Sequence, residues 1–419
     1  MPEVNWAGNV VYTAERVHKP TSVAELRELV ATAPRIRVLG SRHSFNAIAD
    51  SCQLVSLSGL RSQVEVDRQA GTVTCAAGIT YGELARSLRA EGLALANLGS
   101  LPHISVAGSV ATATHGSGDR AGNLATAVAG LELVTSAGEL IKARRGDADF
   151  EGIVVGLGAL GAVTRVTLDV EPAYDVSQVV YDGLSWQALD AHFDELTAAG
   201  DSVSVFTRWD EVAGQLWVKR RVNGELAAPR ELFGARAAAT QRHPIPGGDP
   251  AACTPQLGVP GPWYDRLPHF RLEFTPSAGE EIQSEYLLPR ADARAAIDAL
   301  RRLAPQIRPL LHIGEIRTVA ADGLWMSPQY GRDTVGIHFT WFRQQRRVES
   351  LLGDIEAALV PFAPRPHWGK LFLAQADIIA ARYERCADFV ALQARLDPRG
   401  AFRNDWLEQR VLGSAAGSA

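Results

Sequence analysis

The sequence predicts an α+β chain of two domains, and three observations carry that reading. A short alternating run, Arg35 to Leu39, passes into Gly40-Ser41-Arg42-His43-Ser44-Phe45-Asn46, a small, polar and cationic loop without helical periodicity. The stretch from Leu98 to Gly118 holds hardly any large side chain, and none that is charged unless a histidine protonates. Beyond Glu171-Pro172 the character shifts to strands rich in aromatic and long polar residues, separated by helices. A strand feeding a Gly/Ser/Arg turn offers backbone N–H groups and a cation to an anionic ligand, most simply a diphosphate. Small residues let a backbone come within hydrogen-bond reach of that ligand. The first loop alone is better read as a tight turn with a surface histidine; the two loops together point to a ligand. Neither stretch matches G-x-G-x-x-G or the phosphate loop ending in G-K-[ST], so the two commonest nucleotide folds find no support.

Taken in order, Ser22-Val23-Ala24-Glu25 reads as a capping box opening a helix that stops before Pro34. Strands are expected at Leu54 to Leu57 and in a hairpin of Val64 to Asp67 with Thr72 to Ala76, turning at Gln69-Ala70-Gly71. Thr80-Tyr81-Gly82-Glu83 is a second capping box, with its helix ending at Gly92. The small-residue stretch is expected as a long loop. A second hairpin, Leu131 to Thr135 with Glu139 to Ala143, turns at Ala137-Gly138, and a glycine-punctuated turn at Gly156 to Gly161 leads into a strand from Val163 to Val170. In the second half, Ser185 to Ala199 has helical periodicity, and Val203 to Trp209 and Gln215 to Val222 alternate as strands. His243 to Pro262, rich in Pro and Gly, is expected as an irregular loop. Ala291 to Leu303 is amphipathic, Arg317 to Ala321 closes one strand, Gly336 to Phe342 makes another, and the chain is helical again from Asp377. The tail Gly413 to Ala419 is low-complexity and expected to fray.

At 419 residues with 46% hydrophobic and 21% charged, the chain can build more than one full core and is not a solvated tail. The net charge of −5, with Lys and Arg scattered, argues against nucleic acid or an anionic membrane as partner. Cys52, Cys75, Cys253 and Cys386 lie far apart and form no C-x-x-C pair, so neither a zinc ribbon nor a disulfide framework is expected. The start, Met1-Pro2-Glu3-Val4-Asn5-Trp6, lacks a basic region and an apolar core, and no apolar run approaches a membrane span. A soluble, cytoplasmic protein is expected, with nothing to demand an obligate assembly, hence a monomer.

Three short segments of the second half place unlike polar groups on strand-like frames. In Gly314-Glu315-Ile316-Arg317-Thr318, alternation puts Glu315 and Arg317 on one face; a surface ion pair is the ordinary explanation. In Ile337-His338-Phe339-Thr340-Trp341, His338 and Thr340 share a face that solvent alone would explain. His367-Trp368-Gly369-Lys370 says little by itself. Together they supply an acid, two fixed cations, an imidazole and a hydroxyl, a mix suited to a row of neighbouring hydroxyls that each donate and accept.

The two glycine-containing loops, in this order, resemble the FAD domain of the vanillyl-alcohol oxidase-type flavoproteins. Gly40 to Asn46, together with Ser100-Leu101-Pro102-His103-Ile104-Ser105-Val106-Ala107-Gly108-Ser109 and its continuation to Gly118, is similar to the wording of the bacterial alditol oxidases. The likeness runs from Asn5-Trp6-Ala7-Gly8-Asn9 to Leu396-Asp397-Pro398. It implies an FAD-binding domain over 1–172 and a substrate, or cap, domain over 173–375 with an antiparallel sheet flanked by helices. It also implies a C-terminal segment, 376–419, that returns to the first domain. FAD would be held by Val38, Leu39, Gly40, Ser41, Arg42, His43 and Ser44, with His43 as the covalent attachment point. The second loop would contribute Gly99, Ser100, Ser105, Gly108, Thr112, Ala113, Thr114 and His115, and Val163 and Lys370 would complete the set. Ser100, Glu315, Arg317, His338, Thr340 and Lys370 would line the polyol pocket, with no metal.

The activity implied is oxidation of the terminal hydroxyl of xylitol, sorbitol or similar alditols, with dioxygen reduced to hydrogen peroxide. Arg317 and Lys370 would stabilise the developing alkoxide. The base is open between His338 and Glu315. Gly99 would either leave the flavin edge open to dioxygen or serve the backbone. One rival is a sugar-1,4-lactone oxidase or dehydrogenase of the same family. A metallohydrolase built on His103, His115, His338 and Glu315 is more remote, as is a non-catalytic nucleotide-binding module.

Overall fold

The computed structural model describes residues 3–60, 63–222, 228–274 and 280–413; the tail beyond Gly413, expected to fray, lies outside them. Among the described residues, two small sheets and a two-stranded pair, Leu93–Ala94 with Glu171–Pro172, occupy the first part of the chain. Arg16–His18, Gln53–Ser56 and Arg37–Leu39 form a parallel three-stranded sheet with Gln53–Ser56 in the middle. The helix Val23–Thr32 joins the outer two, and its buried Leu26 and Val30 pack with Ile36 and Val55. The Ser22 hydroxyl caps Glu25 N–H as expected, but the Glu25 carboxylate reaches past Ser22 to the N–H and hydroxyl of Thr21. The second sheet is antiparallel, in the order Val64–Asp67, Thr72–Ala76, Ala162–Asp169, Val128–Val134, Leu140–Arg144. Both expected hairpins are here, turning at Gly71 (φ +65°) and Gly138 (φ +76°), left-handed conformations that favour glycine.

The remainder builds one antiparallel sheet of ten strands. Its middle runs Asp175–Leu184, Gly214–Arg221, Ser202–Thr207, Leu311–Val319, Thr334–Phe342, Glu281–Pro289. Alternation splits these strands into two faces. Ile316, Ile337, Phe339 and Trp341 join a core with Ile297 and Leu300 of the helix Ala293–Arg302 and Leu352 and Ile355 of Gln345–Leu359. The opposite face, carrying Glu315, Arg317, His338 and Thr340, turns toward the first domain.

Three expectations need correction. The stretch Leu98 to Gly118 is not all loop: Val106–Ala111 makes a short helix, ended by Ala113 at φ +49°. The helix expected over Ser185 to Ala199 is broken at His192 into Trp186–Ala191 and Phe193–Thr197. Two central strands, Asp175–Leu184 and Glu281–Pro289, stand where no element is expected.

The chain after the large sheet packs against segments from its first part. Asp397 accepts hydrogen bonds from the N–H groups of Ala401 and Phe402, and Ile36 N–H donates to Ala401 C=O at 2.7 Å. Arg37, whose guanidinium is buried, donates to the carbonyls of Phe402, Ile48, Leu157 and Gly158 and so ties four segments together. No helix among the described residues is long and apolar enough to cross a membrane.

Candidate active site

A cleft with about 1500 Å³ of space unfilled by protein separates the small-residue loops from the polar face of the large sheet. On one wall the two loops clasp each other. Ser105 N–H donates to Ser41 Oγ at 3.0 Å, and Ser41 N–H to Ser105 Oγ at 3.4 Å. A Cβ at Gly40 or Gly108 would stand 2.8 or 2.7 Å from Ser105 Oγ, so a side chain at either position would displace the Ser105 hydroxyl from the clasp. His43 lies in the same wall with both ring nitrogens buried and without a hydrogen bond of ordinary geometry. Burial first, and the nearby His103 ring second, push its pKa down to about 4, so the ring is neutral with a free lone pair. A cradle stripped of side chains beside an orphaned, neutral imidazole fits a flavin nucleotide held along the loops and reached by His43. Val38 to Ser44, Ser100, Ser105, Gly108, Thr112, Thr114 and His115 all face this cleft. Gly99, Ala113 and Val163 do not: Gly99 packs toward Ile104 and Thr114, Ala113 is wholly buried, and Val163 lines a small neighbouring cavity that shares Ala111 and Gly158 with the cleft.

The other wall is made by register. Glu285, His338 and Glu315 lie side by side on three adjacent strands. The next inward-facing position holds Arg317, opposite Gly336, where a Cβ would come within 3.2 Å of Glu285 Oε1. Lys370 arrives from a loop that runs along Glu281–Pro289, fixed by His367 N–H to Glu285 C=O and Leu371 N–H to Gln283 C=O. None of these polar groups is solvent-facing: Glu315, Arg317, His338 and Thr340 are 4, 5, 6 and 3% exposed, so the ordinary readings of a surface ion pair and a solvated face both fail.

Glu285 is the hub of this wall, and the sequence did not single it out. Its Oε1 accepts from Arg317 Nη2 at 2.9 Å and Nε at 3.2 Å; its Oε2 accepts from Lys370 Nζ at 2.6 Å. Burial alone would raise its pKa, but Arg317, Lys370 and His115 outweigh burial and hold the carboxyl well below its ordinary range. Glu315 is depressed in the same way, with Arg317 and His269 opposing burial; its Oε1 lies 3.1 Å from His269 Nε2. His338 Nδ1 lies 2.8 Å from Lys370 Nζ, and its Nε2 is 3.0 Å from Thr340 Oγ1. Burial, then Lys370, lowers its pKa to about 4. Arg317 Nη1 also reaches Ser100 Oγ at 3.3 Å, joining the two walls. All six side chains expected around the pocket are therefore brought together.

His367, from the same short segment as Lys370, and His269, from a stretch where nothing in the pattern marks it out, join them. His115, Glu285 and His367 place possible ligand atoms within 4.8 Å of one another. Both Glu285 oxygens already face cations, however, and a metal ion there would be repelled by Arg317 and Lys370. His103, one member of the remote metallohydrolase set, is turned away to the Leu272 carbonyl.

Residues 14–144 match the FAD binding domain family, and residues 279–410 match the D-arabinono-1,4-lactone oxidase family. The chain is 49% identical to an alditol oxidase from a Streptomyces species, over 98% of this chain and 99% of that one. It is 30% identical to an L-gulono-1,4-lactone dehydrogenase from Mycobacterium tuberculosis, over 98% of each. Among solved structures, the cholesterol oxidase of B. sterolicum superposes with a TM-score of 0.80 at 16% identity, covering 98% of this chain and 96% of that one, a likeness of fold. The chain belongs to the alditol oxidases, FAD-dependent oxidoreductases of the vanillyl-alcohol oxidase type.

Proposed function

We propose that the protein oxidises the terminal primary hydroxyl of open-chain alditols, xylitol, sorbitol and similar polyols, to the aldose, and passes the electrons to dioxygen with release of hydrogen peroxide. The observation that carries the reading is the buried polar wall. A carboxylate, a guanidinium, an ammonium, an imidazole and the Thr340 hydroxyl line one side of the cleft, and the Ser100 hydroxyl faces them from the other. An apolar substrate would leave without a partner those cleft-facing donors and acceptors that these groups do not spend on one another, at a cost of roughly 1–3 kcal/mol each. A chain of hydroxyls, each donor and acceptor at once, satisfies them.

FAD, when bound, supplies a two-electron acceptor for the hydride leaving the substrate carbon; we place its covalent attachment at His43. The protein's own groups hold the substrate and manage its proton. Glu285 occupies the Nε–Nη2 edge of Arg317 and one N–H of Lys370. Arg317 Nη1, now 3.3 Å from Ser100 Oγ and 3.4 Å from Glu315 Oε2, and the third Lys370 N–H are the donors left to turn to the reacting oxygen. Both cations stabilise negative charge as it develops on that oxygen, in a dry site where such stabilisation is strong. Of the two candidate bases, His338 is the more basic, since Glu315 is held lower still. Because Lys370 Nζ donates to His338 Nδ1, the neutral ring carries its proton on Nε2 and donates to Thr340 Oγ1. The hydroxyl proton passes to Nδ1 as the Lys370 N–H turns from it to the reacting oxygen, and Glu285 Oε2, 3.7 Å from Nδ1, steadies the imidazolium. Glu315 and Ser100 bind hydroxyls further along the chain.

The working form is taken to be a cytoplasmic monomer that needs no nucleic acid or membrane, which the scattered charge and four free cysteines support. A substrate panel read by peroxide release tests the proposal. Turnover is expected with four- to six-carbon alditols. Turnover confined to aldono-1,4-lactones would replace this reading with the lactone oxidase one, and turnover without peroxide would remove dioxygen as acceptor.

A further inference from the structure

The motif Asn5-Trp6-Ala7-Gly8-Asn9 takes no part in the chemistry above, yet it wraps the loop that carries His43. Trp6 N–H donates to Arg42 C=O at 2.9 Å, Asn5 Nδ2 to Ser44 C=O at 2.9 Å, and Asn9 Nδ2 to Phe45 C=O at 2.9 Å. Glu3 pairs with the Arg42 guanidinium. The strap is itself braced: Asn5, 3% exposed, also donates to Asn9 Oδ1 and accepts from Val10 N–H. The loop needs such bracing, because Arg42 sits at φ +64°, a conformation a non-glycine residue holds only when its surroundings impose it.

The strap's main feature is the Trp6 indole, stacked on the His43 imidazole with centroids 5.5 Å apart and planes 18° from parallel. Trp6 in turn meets Phe45 edge-on at 6.4 Å. Neither His43 nitrogen has a hydrogen bond of ordinary geometry to set the ring's rotation. The stack, beside a long backbone contact to Ser41, holds the imidazole plane, and it does so without consuming a nitrogen lone pair.

We propose that the N-terminal strap is a positioning device for flavin attachment, in which Trp6 orients the His43 ring for bond formation by stacking on it. The inference rests on the reading of His43 as the tether. In that step a His43 nitrogen bonds to the 8α carbon of FAD and a methyl C–H is lost. Its proton leaves to solvent, and the two electrons left in the flavin pass to dioxygen, giving peroxide. Trp6 touches none of the reacting atoms; its part is to hold one ring orientation among several.

Trp6→Phe and Trp6→Leu both fill the space, but only the first can stack. The readout is the fraction of flavin that stays with the acid-denatured chain, followed over time as purified enzyme is incubated with FAD, against total bound flavin by absorbance. Trp6→Phe is expected to attach flavin within about twofold of wild type, and Trp6→Leu about tenfold more slowly with total FAD binding retained, the range an aromatic pair commands. Attachment in Trp6→Leu as fast as in wild type overturns the proposal. So does loss of total flavin in both variants, which would make Trp6 a binding residue rather than an orienting one. His43→Ala separates the two readings: covalent flavin persisting in that variant brings down the tether itself, whereas its loss alongside normal attachment in Trp6→Leu brings down only the strap's role.

Discussion

Replacing Glu285 by Gln gives the sharpest test of the electrostatic account. In the native wall Glu285 and Glu315 balance Arg317 and Lys370, with Glu285 wholly buried and its cation partners 5 and 11% exposed. The substitution keeps the shape but removes one negative charge, and an amide N–H₂ that gives its oxygen to Arg317 turns its own hydrogens toward Lys370 Nζ, 2.6 Å away. Removing one partner of a buried pair costs about 3–5 kcal/mol. A second route to the number agrees with this. Lys370 is already lowered by burial, with Glu285 foremost among the groups holding it up. Without Glu285 it escapes by losing its proton, and doing so at pH 7 from an unfolded value near 10.4 costs at most about 5 kcal/mol at 1.36 kcal/mol per unit.

This gives the deficit a pH dependence of known sign. In the variant the folded state holds fewer protons on Lys370 than the unfolded state, so its stability rises with pH by up to about 1.4 kcal/mol per unit and levels off above the unfolded pKa. Urea unfolding of wild type and variant at pH 6, 7, 8 and 9, with Glu285→Gln/Lys370→Met completing a double-mutant cycle, measures both quantities. A deficit below about 1 kcal/mol at pH 7 would refute the hub assignment, as would one that stays constant with pH.

Lys370→Met should lower kcat by about a hundredfold or more while flavin content stays at the wild-type level; normal turnover by steady-state peroxide assay removes its role in alkoxide stabilisation. A Cβ at Gly99 would meet Ile104, Thr114 and His115 only at ordinary distances of 3.6–3.8 Å. Gly99→Ala should therefore leave both stability and stopped-flow reoxidation by dioxygen unchanged, and slowed reoxidation would restore Gly99 as an oxygen gate. Gly336→Ala should cost about 1–3 kcal/mol in denaturant titration and raise KM, because the added methyl presses on Glu285 and Leu287 at 3.2 and 3.1 Å and disturbs the Arg317 clamp. His269 and His338 are both held near pKa 4 against about 6.5 unfolded. Stability is then fully present above pH 6.5 and declines as pH falls toward 4, and a denaturation midpoint flat across that window would contradict their burial in neutral form.

Much of the first domain was legible because its signals are local. The capping residues Ser22 and Thr80, the turn glycines Gly71 and Gly138, and the two-residue period of Thr72 to Ala76 each act within a few positions, and each gives the element it implies. The loops were legible by subtraction, since a stretch without large side chains makes room for something else. What local pattern could not supply was the break at His192 or the helix turn inside the second loop, where tertiary packing decides between conformers of nearly equal intrinsic preference.

The missing hub follows from a different limit. Glu281, Gln283 and Glu285 alternate with Ile282, Ser284 and Tyr286, and a polar face opposite an apolar one ordinarily means solvent. Here that face looks across a cleft onto the first domain, and the whole strand from Glu281 to Leu288 is buried. The same inversion hides Glu315 and Arg317 as a mundane surface pair. The alternation is faithful to the pleat but carries no information about what lies beyond it. Only the pairing of three strands in one sheet, closed over by the small-residue loops, turns three unremarkable polar stripes into one charge-balanced wall. The chemistry therefore resides in cross-strand register, Glu285 beside His338 beside Glu315, which no single segment of the sequence encodes.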